Sequence, residues 1–256
     1  MTSLRKTALV AGILYLITFI AVATLTLYGP VKSDPNYILS SGSDSGVLWG
    51  ALVEVIVALA GIGTAVVLFP VVKRQNEGFA LGFVATRVLE AGTIFVGVIG
   101  ILSLVTLHQD AGAAAGADAA SLGTVGALLI AIYNATFLLG QTLMPGMNAV
   151  LLGYLMYRSG LVPRLIPALG LIGGPLMISS VIGQIIGINE PVSVWSGIAL
   201  LPIFVWELSL GLWMAIWGFK SSAPLMVAAA SQSASPDGPA TARPSRTVVA
   251  TKAGAA

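Results

Sequence analysis

The chain contains no cysteine, and among its 256 residues it has a single histidine. The first absence excludes disulfides, thiolate catalysis and cysteine-based metal sites together. The second leaves no ligand set for an intramembrane zinc enzyme of familiar type. Charge is scarce as well, at 9% of residues, where a soluble domain carries about 25%. No aspartate falls inside a long apolar segment, so an aspartyl dyad is excluded there. Neither a G-x-S-x-G elbow nor a phosphate-cradling GxxxxGK[ST] loop occurs. No cofactor motif is present, and the net charge of +2 gives no nucleic-acid footprint.

What fills the chain instead is apolar sequence, 57% of residues, with a mean hydropathy of +0.96. A bilayer core needs about 20 apolar residues in a helix. Six segments meet this: Thr7–Tyr28, Val47–Val72, Phe79–Leu107, Leu122–Tyr157, Leu165–Ile188 and Val194–Phe219. The fold class that follows is all-α, a polytopic membrane protein with one six-helix domain over residues 1–220. Residues 221–256, rich in Ala, Ser, Pro and Thr, predict a disordered tail. The first segment has a signal-like "AVA" at Ala21–Ala23, but its apolar run continues through "TLTLY" and reads as a span.

Basic residues orient the chain. Arg5, Lys6, Lys73, Arg74, Arg158, Arg164, Lys220, Arg243, Arg246 and Lys252 fall on one side, whereas the other has Lys32 among Asp34, Asp44, Asp110, Asp118 and Glu190. Positive residues stay inside, so both termini are expected to be cytoplasmic in a multi-pass protein of the cell membrane.

Four ionisable residues lie within spans: Glu54, Arg87, Glu90 and Glu207. Arg87 and Glu90 share a helix face at i, i+3, within pairing distance. Counted from Phe79 they lie roughly 12 and 16 Å deep. Each buried charge costs at least a few kcal/mol unless it is paired or wet, so Arg87 is expected to neutralise Glu90 or Glu207. Glu54, roughly 10 Å from the outer end of its span, is within reach of outer water. His108, at an outer span end, reads as a solvated terminal residue.

The fourth span repeats amides at seven-residue spacing, Asn134, Gln141 and Asn148, one stripe of a helix. Pro145 frees the carbonyl of Gln141. The segment's 36 residues make about 54 Å of helix, so it must kink, tilt or project. Asn134 is expected to serve as interhelical glue. Pro175 and Pro202 fall near the same depth in the fifth and sixth spans, and broken helices at the midplane are a transporter device. Gly170–Gly174 and Gly183–Gly187 offer close helix approach, including to a second copy of the chain. Trp49, Trp195, Trp217, Tyr28 and Tyr157 read as an interfacial belt, and Trp206 as core.

The stretch "LMPGMNAVLLGYLMYRSGLVPRLIPALGLIGGP" (Leu143–Pro175), with its Pro-Gly-x-Asn turn, and "RVLEAG" in the third span resemble a bacterial integral-membrane family, domain of unknown function 4386. The resemblance covers about residues 5–220. It implies a six-span membrane protein and brings no activity.

Two functions compete. One is a small transporter or permease-like protein with a midplane substrate or proton site made of Arg87, Glu90, Gln141, Asn148 and Glu207. The other is a non-catalytic membrane scaffold or sensor subunit in which the same residues are structural. The first predicts a water-accessible pocket at these residues, and the second predicts sealed pairs. An intramembrane enzyme ranks third for want of a nucleophile or metal set.

Overall fold

A computed structural model of the chain describes residues 3–34, 37–111, 119–225 and 227. Its long helices are six, each apolar enough to cross a membrane: Ser3–Leu27, Ser45–Val72, Glu77–Asp110, Ala119–Ser159, Leu165–Ile185 and Val194–Ile216. No strand occurs among the described residues. The all-α, multi-pass reading therefore holds. From residue 228 on, the expected tail lies outside the described residues. Just before it the chain still packs: Lys220 N–H donates to the Leu161 carbonyl at 2.9 Å, and Ala223 is buried.

The six spans close a ring. Each packs against its neighbours in sequence, and the first also packs against the sixth. Hydropathy alone does not set this order. Small residues do, because they let backbones approach. A Cβ on Gly12 of the first span would lie 2.5 Å from the Ala215 nitrogen of the sixth. One on Gly174 would lie 2.7 Å from the Gly146 carbonyl oxygen of the fourth. Gly170 lies against the ring of Trp206, which is buried as expected. Gly170 and Gly174 are thus taken up within the chain, whereas nothing lies within 4 Å of a Cβ at Gly187.

The fourth span is where helix geometry changes. It runs as α-helix over Ala119–Thr136, as π-helix over Phe137–Leu143, and as α-helix again over Met144–Ser159. The break falls just before Pro145, the residue that cannot donate to an α-helical carbonyl. A π turn bonds i to i+5 and winds in an extra residue. Each such residue turns the face of the downstream helix by roughly 100°. The heptad stripe is broken for this reason. Asn134 sits on the exposed side of its helix, without a hydrogen-bond partner among the described residues, so the expected glue is absent. Tyr133 beside it is buried instead.

Candidate functional site

At the centre of the ring, Arg87 of the third span is 2% exposed. Its Nη1 lies 3.0 Å from Glu90 Oε2, and its Nη2 lies 3.2 Å from Glu207 Oε1 of the sixth span. The same Nη2 donates to the Tyr15 hydroxyl of the first span at 3.1 Å. Glu90 also accepts from Asn148 Nδ2 of the fourth span at 2.7 Å, and Thr86 Oγ1 donates to the Asn148 side-chain oxygen. The guanidinium therefore ties together three of the six spans directly, and Glu90 adds the fourth through Asn148. The expected choice between Glu90 and Glu207 does not arise, since Arg87 takes both.

The two carboxylates are held unequally. Glu90 accepts from Arg87 Nη1 with both oxygens and from Asn148. Glu207 accepts one hydrogen bond, from Arg87, and its side chain is 18% exposed. Arg87 Nε is buried without a partner among the described residues. Arg87, Glu90 and Asn148 are buried, and the Glu207 side chain is partly exposed. A depression of about 500 Å³ lies at the N-terminal end of the second span and is lined by Asp44, Ser45, Leu48, Trp49, Leu52 and Gln109.

Gln141 does not join this cluster. It is part of the π-helix, and its Nε2 donates to Glu54 Oε1 at 3.0 Å. Glu54 also accepts from the hydroxyls of Tyr28, at 3.1 Å, and Tyr133, at 2.7 Å. Two expectations are corrected here. Glu54 is 1% exposed rather than open to outer water. Tyr28 is buried rather than part of an interfacial belt. A carboxylate that deep needs donors, and two tyrosines and an amide supply them.

His108 is corrected as well. Its Nδ1 lies 2.7 Å from Asp44 Oδ1, and its Nε2 lies 2.8 Å from the Ser40 carbonyl oxygen. Both ring nitrogens lie within hydrogen-bond distance of oxygen atoms, so the ring is fixed rather than solvated. Asp44 also accepts from the Tyr37 hydroxyl and from Gln109 Nε2 at 2.9 Å. Burial works to raise the Asp44 carboxyl, but the bonds from Tyr37, Gln109 and His108 outweigh it and hold it below the usual value. Burial, and then the bond to Asp44, push the Tyr37 hydroxyl well up.

Among the described residues no group of three or more His, Cys, Asp or Glu is placed to hold a metal ion. Comparison with known families returns a match over residues 10–218 to the model described as Domain of unknown function (DUF4386). The chain belongs to that family. Comparison with curated proteins and with solved structures gives no match.

Proposed function

We propose that the chain is a small proton-coupled, permease-like transporter of the cell membrane, with both termini cytoplasmic and its midplane site closed. The observation that carries this reading is one guanidinium between two carboxylates, Glu90 and Glu207, where spans from both halves of the chain meet. With both carboxylates ionised, the cluster would hold one uncompensated negative charge in hydrocarbon, at a cost of at least a few kcal/mol. One bound proton removes that charge. Two carboxylates sharing a site separate in proton affinity for the same reason. Glu207 is the carrier of choice, because it has fewer donors and more exposure than Glu90. A purely structural staple would need only one carboxylate for its arginine. The π-helix in the adjoining fourth span supports the reading too, since such turns concentrate at functional sites.

The scaffold or sensor-subunit reading has an observation of its own, the burial of Arg87 and Glu90. The two separate on whether the site ever opens. In this cysteine-free chain, Asn148→Cys should react with a small membrane-impermeant thiol reagent from one side of a vesicle. Leu139→Cys, on the exposed face of the fourth span, should not. Protection of Asn148→Cys in protein with an intact melting transition, across solutes and pH, would leave the scaffold reading standing.

A further inference from the structure

Glu54 and its surroundings form a second ionisable site, apart from the midplane cluster. All three of its hydrogen-bond donors, Tyr28, Tyr133 and Gln141, are neutral. They stabilise a carboxylate without balancing its charge. The cation that stands nearby belongs to Lys32, on the short helix Gly29–Ser33. Its Nζ lies 5.0 Å from the centroid of the Tyr133 ring and 5.3 Å from that of Phe137. Tyr28 and Tyr133 meet edge to face, with centroids 5.3 Å apart and both hydroxyls on Glu54. Burial lowers the proton affinity of the Lys32 amine, with Glu54 acting the other way. The ammonium thus stands over aromatic faces, and Lys32 as a residue is exposed.

Aromatic faces above a buried carboxylate are the chemistry that holds organic ammonium ions: the rings attract the cation and the carboxylate neutralises it. We propose that Lys32 is a tethered stand-in, and that the Glu54 site binds an organic ammonium ion entering from the end of the bundle that carries residues 29–33. Exchange leaves the charge of the site unchanged, because the Lys32 ammonium swings into water as the ligand's ammonium replaces it. Phe137 and Gln141, which supply a ring and a donor, both come from the π-helix. The segment that departs from α geometry is therefore the one that builds this site. The inference rests on the transporter reading only in making the ammonium ion a transported substrate; binding stands without it.

The test uses the full chain in lipid nanodiscs, titrated calorimetrically with n-butylammonium and with tetraethylammonium. Lys32→Ala should bind at least one of them about tenfold more tightly than the parent, because a resident competitor taxes affinity by the fraction of sites it fills. Glu54→Gln should abolish binding. Phe137→Leu, which leaves the carboxylate in place, should weaken it. Sodium chloride at equal concentration should not compete. Glu207→Gln should leave ammonium binding intact, so a failure of proton coupling is read separately. Unchanged or weaker affinity in Lys32→Ala, or sodium competing equally, would overturn the proposal. So would full binding by Glu54→Gln.

Discussion

Asn148 Nδ2 donates to Glu90 Oε2 at 2.7 Å, while the Asn148 side-chain oxygen accepts from Thr86, one turn before Glu90. The amide thus spans a full helical turn of the third span from across the helix interface. It orients the carboxylate that Arg87 then neutralises. Asn148→Leu leaves Glu90 short of a donor, and an unsatisfied buried group costs about 1–3 kcal/mol. Asn148→Asp sets a second carboxylate against the first. In detergent near neutral pH, Asn148→Leu should melt below the parent and Asn148→Asp below both. An Asn148→Asp variant as stable as the parent would show that Glu90 does not depend on this amide.

Arg87 carries the charge balance of the buried cluster. Its removal strands Glu90 and Glu207 together, and breaking a buried pair by deleting one partner typically costs about 3–5 kcal/mol. Arg87→Ala should therefore be strongly destabilising. Adding Glu90→Gln should recover part of the loss, and adding Glu207→Gln as well should recover more. Equal melting temperatures for the single and triple variants would rule out charge balance as the role of Arg87.

The division between what sequence reveals and what it hides follows physical range. Six spans are legible because hydropathy accumulates over 20 residues, and the Arg87–Glu90 pair because i, i+3 neighbours share a face. The involvement of Glu207 is legible from depth and scarcity of charge. The partners of Glu54 are not. Tyr28 lies 26 residues away and Tyr133 lies 79, and a tyrosine near a span end ordinarily reads as an interfacial anchor. The position of Gln141 was hidden by the π-helix, which changes the face of the fourth span without any compositional mark beyond Pro145. His108 meets Asp44 across 64 residues of chain, a closure that no local pattern contains.

Gly140 tests the π segment. A Cβ built there collides with the Thr93 hydroxyl and lies 2.9 Å from the Thr93 Cβ. Thr93 itself donates to the Glu90 carbonyl at 2.7 Å, so the backbone behind it has little room to yield. Overpacking of this kind costs about 1–3 kcal/mol. Gly140→Ala should lower the melting temperature, and Thr93→Ala in the same chain should restore part of it. Additive losses in the double variant would mean that the two helices do not meet there.

Asp44 gives a pH dependence with a definite sign. Its carboxylate is held by Tyr37, His108 and Gln109 beside the N-terminal end of the second span. It sits below its ordinary value of 3.8. A carboxyl whose folded value is depressed stabilises the fold at pH above its ordinary value and loses that contribution as pH falls through the folded value. The clamp is therefore complete at neutral pH and dissolves only in strong acid. Asp44→Asn cannot ionise, so it should unfold more easily than the parent at about pH 7, and the gap should close below the ordinary carboxylate value. The measurement is unfolding in mild detergent across that range, with Asp110→Asn, a carboxylate at the same span end as His108, as the comparison. A gap that stays constant down to about pH 2 would assign the effect to lost packing rather than to the charge on Asp44.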